Sequence, residues 1–108
     1  MKRLIPSRKV RENVLLTYEL KGAQKGVDLL AGYYDIRRMK IILDGKRVGR
    51  GYEACYDKFI GYFTKKGFHR KNVLHEFYHH LAFVCNFNME NNEEEKAANN
   101  FVINFLKK

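Results

Sequence analysis

Between Arg70 and Cys85 the apolar residues Val73, Leu74, Phe77, Leu81 and Val84 recur at the spacing of a helix, which gathers them onto one face of the roughly 3.6-residue turn. A second stretch behaves the same way: Ala98, Phe101, Val102, Phe105 and Leu106 predict a helix from about Asn92 to Leu106. The polar, turn-like segment 86–92 between them is long enough to fold the later helix back on the earlier one. Two packed helices of this kind dictate much of what 108 residues can build. That length fits one domain, 1–108, and leaves no room for a second core. With 45% hydrophobic and 14% aromatic residues, a disordered chain is excluded.

Upstream, the pattern is less regular. Val10 to Leu20 contains Val-Leu-Leu-Thr-Tyr-Glu-Leu, whose second half reads as a strand, with a helix from Pro6 as the alternative. Residues 22–26 read as a loop. Gly32-Tyr33-Tyr34-Asp35 and Met39 to Leu43 read as two strands, or as one long bent strand, closed by the turn Asp44-Gly45. Tyr52, Cys55, Tyr56, Phe59, Ile60 and Phe63 fall at helical spacing, so a helix ending at Gly67 is expected there. Strands followed by helices predict an α+β layout.

Net charge is +9, unevenly distributed. Residues 1–71 hold 18 Lys and Arg against 7 Asp and Glu, a balance of +11, whereas residues 72–108 hold 3 against 5. Such a surplus raises nucleic acid or an acidic membrane surface as a partner. The basic residues come as scattered pairs without a nucleic-acid motif, so a solubilising surface is the preferred reading. The less basic C-terminal third is where a cation site belongs. No apolar run is long enough to span a membrane. The basic start Met1-Lys2-Arg3 leads into Ser7-Arg8-Lys9 where a signal peptide needs an apolar stretch. A soluble, cytoplasmic protein is expected. Cys55 and Cys85 allow one disulfide at most and are expected as small buried hydrophobes.

The first of the two later helices carries His75-Glu76-Phe77-Tyr78-His79, an H-E-x-x-H pattern. Histidines four apart lie one above the other, so both imidazoles can reach one Zn²⁺ at about 2.0–2.1 Å. Glu76 projects beside them, placed to take a proton from water and return it to a leaving amine. A catalytic zinc generally takes a third protein ligand. Glu95 supplies one, with Glu94 as the fallback. Glu95 opens the run Glu95-Lys96-Ala97-Ala98-Asn99. There the small Ala98 permits close helix approach, and Asn99 can hold a histidine ring from behind. Glu93 and Glu94 are otherwise explained by the dipole of a helix start. His80 points about 100° away from His79 and is read as a supporting or surface residue. His69 is read as a helix-start residue.

His75-Glu76-x-x-His79 followed by Glu95-x-x-Ala98-Asn99-x-Phe101 resembles the gluzincin metallopeptidases. The glutamate helix is similar to that of the ImmA/IrrE family, and the short length is similar to the minigluzincins. The resemblance implies a minimal zincin-like core, with a three-stranded sheet packed on an active-site helix and a glutamate helix. It implies one Zn²⁺ on His75, His79 and Glu95, and Glu76 as general base and acid. A peptide or protein substrate would align along a sheet edge. It also implies a latent form in which a C-terminal segment, about residues 100–108, blocks the cleft if Asn99-Asn100 or Asn104 interrupts the last helix. The group that would stabilise an oxyanion has only Tyr33, Tyr34 and His69 as candidates, none placed by spacing.

Overall fold

The computed structural model describes residues 4–108. Among them are four helices and three strands in the order α1 (Arg8–Lys21), α2 (Ala23–Tyr34), β1 (Lys40–Leu43), β2 (Ala54–Asp57), β3 (Ile60–Phe63), α3 (Arg70–Val84) and α4 (Asn91–Phe105). The class is α+β, as the pattern predicts. The order differs, because a helical pair precedes the sheet.

Residues 8–34 overturn the strand reading. Ser7 caps α1 by accepting from the Val10 amide, and Arg8 pairs with Glu12 one turn later. Val10, Val14 and Tyr18 then share a face, with Val14 buried. The β-branched residues that suggest a strand are overruled by this cap and this stripe. Gly22, at φ 98° and ψ 166°, turns the chain within one residue. Its left-handed φ suits glycine. Gly26 belongs to α2 rather than to a loop: a Cβ there would sit 3.0 Å from Tyr18 Cβ, so the glycine lets the two helices touch. α2 runs through the Gly32-Tyr33-Tyr34 segment, expected as strand, and ends at Asp35 in the left-handed region.

β1 lies where the sequence places a strand. Its neighbour does not. Tyr52 to Phe63, expected as a helix, forms the hairpin β2–β3. Ala54 pairs with Phe63 and Asp57 with Ile60 across a two-residue turn, Lys58-Phe59. Both turn residues have positive φ, 38° and 74°, the conformation usual in tight hairpins but normally taken by Asn and Gly. β3 also pairs in parallel with β1, giving the order β1-β3-β2.

α3 is the central element and touches the sheet, α2 and α4. Val73, Phe77 and Leu81 share one buried core with Leu30, Ala31, Met39, Phe63, Phe101 and Phe105. The sequence bounds of α3 and α4 hold to within a residue. α4 is unbroken at Asn99, Asn100 and Asn104, and its Phe101 and Phe105 are core residues. An interruption there was the condition for residues 101–108 to cover a cleft, and the helix continues through those positions. Arg11 instead ties that end down, donating from Nη1 to the carbonyls of Asn104 (2.7 Å) and Lys107 (2.9 Å). Cys85 is exposed and Cys55 half-buried, both as free thiols, which corrects the reading of two buried hydrophobes.

Candidate metal centre

His69 opens α3, accepting from the Asn72 amide as the helix-start residue it was read to be. Nearly two and three turns on, His75 and His79 project toward α4. Their Nε2 atoms lie 3.2 Å apart. From the first turns of α4, Glu95 meets both: Oε2 is 3.1 Å from His75 Nε2, and Oε1 is 2.9 Å from His79 Nε2. Four ligands at about 2.0–2.1 Å in tetrahedral array are separated by roughly 3.3 Å. Here the two nitrogens are 3.2 Å apart and each meets a different oxygen of Glu95, so one ligand atom from each residue falls within 4.8 Å of the others. His75, His79 and Glu95 are thus a donor set that can hold one metal ion, of the nitrogen and carboxylate type that suits zinc.

The tautomers agree with this geometry. His79 Nδ1 lies 2.5 Å from Glu94 Oε2, and a proton on that nitrogen leaves Nε2 as the one to face a metal ion. Carboxylate support behind a ligating imidazole fixes the ring and raises its basicity. Glu94, kept in the sequence reading as a substitute ligand, has this supporting place. Asn99, one turn beyond Glu95 in α4, acts on His75 in the direction that raises its pKa. Burial, and next the neighbouring His79, hold the His75 pKa below the ordinary histidine value against the pull of Glu95 and Asn99. A neutral imidazole is the form a metal requires.

Glu76, 7% exposed, sits beside this group. Burial raises its pKa to about 7, with His79 opposing the rise and Glu95 reinforcing it. The cleft over these residues has a volume of about 800 Å³ and is bordered by Tyr52 and the strand β2 as well as by His75, His79 and Glu95. That is the size of a ligand site.

His80 is neither at the surface nor near the ligands. It is fully buried; Nε2 donates to the Arg37 carbonyl at 2.5 Å, and Nδ1 accepts from the Tyr56 hydroxyl at 2.8 Å. The same Tyr56 oxygen accepts from the Phe59 amide at 2.8 Å. This chain of bonds fastens the hairpin turn to α3 and so positions the β2 side of the cleft. The misread hairpin hid Tyr56 and β2 as site residues; Ala54 to Asp57 has no apolar and polar alternation to signal a strand. Tyr33, Tyr34 and His69 are not among the residues bordering the cleft. Tyr34 donates to the Leu4 carbonyl and packs on Phe77, and Tyr33 faces a groove between α1 and α2.

Comparison of the chain with protein-family models, with curated proteins and with solved structures finds no match.

No helix among the described residues is long and apolar enough to cross a membrane.

Proposed function

We propose that this chain is a zinc-dependent peptidase. The reading rests on one observation: His75, His79 and Glu95 bring their donor atoms within 4.8 Å of one another with a buried carboxyl, Glu76, alongside, in a cleft bordered by a sheet edge. Zinc held by these residues would lower the pKa of a water toward 7 and polarise a carbonyl. Glu76 takes the proton of the attacking water on its carboxylate, holds it in a buried site, and delivers it to the leaving amine. A carboxyl that titrates at about 7 when metal-free is suited to both halves of that transfer.

The substrate is an extended peptide laid along β2. Glu53 accepts from the Thr64 amide, and the strand register alternates from there. The backbone groups of Ala54 and Tyr56 accordingly face outward, unpaired among the described residues. The opposite edge is closed: Gln24 donates to the Met39 carbonyl (2.8 Å) and accepts from the Ile41 amide (2.9 Å), taking the place of a neighbouring strand. Only the edge beside Glu76 is thereby left for a peptide.

A second reading draws on the three oxyanion candidates, Tyr33, Tyr34 and His69, all lying outside the cleft. In it, zinc only staples α3 to α4. Elemental analysis of the purified protein and its His79→Ala variant, with peptide cleavage by the parent and by Glu76→Ala, separates the two. The peptidase requires about one zinc per chain, lost in His79→Ala, and cleavage abolished in Glu76→Ala with zinc retained. Zinc without cleavage in the parent leaves the staple. No zinc after reconstitution ends both.

A further inference from the structure

At the far end of α4 from the metal centre, a recess of about 290 Å³ lies between α1, the start of α3 and the end of α4. The ten residues from Glu95 to Phe105 put it about 15 Å along the helix from the zinc ligands. Arg8, Arg11, Arg70, Lys107 and Lys108 border it, five of the chain's 21 Lys and Arg. The one acidic side chain there, Glu12, is already engaged by Arg8 Nε at 2.8 Å. We infer that this recess binds a compact oxyanion of the phosphate class, as free phosphate or a small phosphate monoester.

Three features support the assignment. The first is charge: five cations around one concave space repel one another, and a dianion seated among them reverses that repulsion. The second is the state of Arg11. Its Nη1 donates to the carbonyls of Asn104, Phe105 and Lys107, which fixes the guanidinium plane. A guanidinium immobilised by the chain's own carbonyls is a preorganised positive charge at the wall of the recess, with no side-chain ordering left to offset on anion binding. The third is size. The recess is smaller than the pockets that enclose drug-sized ligands and suits a phosphoryl group with a short substituent. The scattered Lys and Arg pairs of the sequence thus include one set that the fold gathers. The inference is independent of the peptidase reading, since no residue is shared between the two sites.

The test is titration of the full chain with inorganic phosphate and with glycerol phosphate, against chloride at equal ionic strength, followed by calorimetry and by thermal melting. Saturable binding that raises the melting temperature is expected, weakened about tenfold or more in Arg8→Gln and in Arg70→Gln, the loss of one charge-assisted contact. Arg50→Gln, which removes the same charge from the loop after β1, is expected to bind as the parent does. His79→Ala is expected to bind likewise. Phosphate acting no differently from chloride overturns the inference. So does an equal loss in Arg50→Gln, which would mean general screening of the basic surface. Loss in His79→Ala would place the anion at the metal centre instead, and overturns it too.

Discussion

The two faces of α3 hold adjacent histidines with opposite fates. His79 turns to α4: one nitrogen is held by Glu94, and the other faces His75 and Glu95. His80 turns to the sheet with both nitrogens consumed, by the Arg37 carbonyl and the Tyr56 hydroxyl. Both rings are largely buried, so burial does not distinguish them. What distinguishes them is what their nitrogens face. His80 meets a carbonyl and a hydroxyl, which make it a strut, whereas His79 Nε2 meets an imidazole and a carboxylate that can ligate the same metal ion.

The comparison is most sharply tested by removing each ring. His79→Ala should reduce zinc affinity by about 100- to 1000-fold, a quarter or so of the binding energy that zinc sites of this kind supply. The metal-free protein should melt nearly as the parent does. A metal-competition titration beside a melt of the apo form reads both. His80→Ala should do the reverse. It leaves the Arg37 carbonyl and Tyr56 hydroxyl without partners and opens a cavity, so it should destabilise the fold by about 3 kcal/mol in urea. Its effect on zinc should be small and indirect. If His80→Ala cost more zinc affinity than His79→Ala, the assignment of the two faces would be wrong.

Glu76, next to His75 on the same helix, lets pH probe the cleft face alone. Its folded pKa of about 7 exceeds the ordinary 4.5. The stability this group contributes is therefore complete below about pH 4.5 and lost as pH rises through 7. Converted directly, the shift is about 3 kcal/mol at pH 8, and water penetration reduces that toward about 2. Glu76→Gln should accordingly stabilise the metal-free protein by about 2 kcal/mol at pH 8 and by little at pH 4. Urea midpoints at the two pH values give the answer, and an equal effect at both would show that burial of the carboxylate is not what shifts it.

The cleft face was also the more legible in the sequence. His75, Glu76 and His79 lie within one helical stretch, and Glu95 and Asn99 within another, so regular 3.6-residue geometry relates the members of each set. The two sets lie on adjacent packed helices, and Ala98 marks where they pack. Glu94 and Glu95 were harder to separate, because neighbours on a helix differ by only about 100° and which one reaches Nε2 depends on tertiary packing. The clamp face was not legible. Its members, Arg37, Tyr56, Phe59 and His80, come from a loop, a strand, a turn and a helix. Two of them lie in a segment whose apolar residues mimic helical spacing. α2 is not legible, and α1 only as the alternative to a strand, for a related reason: Val, Thr and Tyr favour strands locally, and the two glycines that suggest a loop serve a one-residue corner and a close helix crossing.

The turn that misled the pattern supplies the smallest and most local test. Lys58 and Phe59 both occupy positive φ, where a side chain is strained. Phe59 is compensated. The Arg37 guanidinium stacks 3.9 Å from its ring centre, the ring meets His80 and Phe83 edge-on, and its amide donates to Tyr56. Lys58 is exposed and has no such contacts among the described residues, so its strain is offset by its neighbour's packing. Replacing it with glycine removes the strain but enlarges the conformational freedom of the unfolded chain, and the first effect should prevail at this φ. Lys58→Gly should raise stability by about 0.5–1 kcal/mol with zinc affinity unchanged, measured by urea unfolding. A loss of stability would mean that the lysine itself holds the turn, and that the clamp does not end at Phe59.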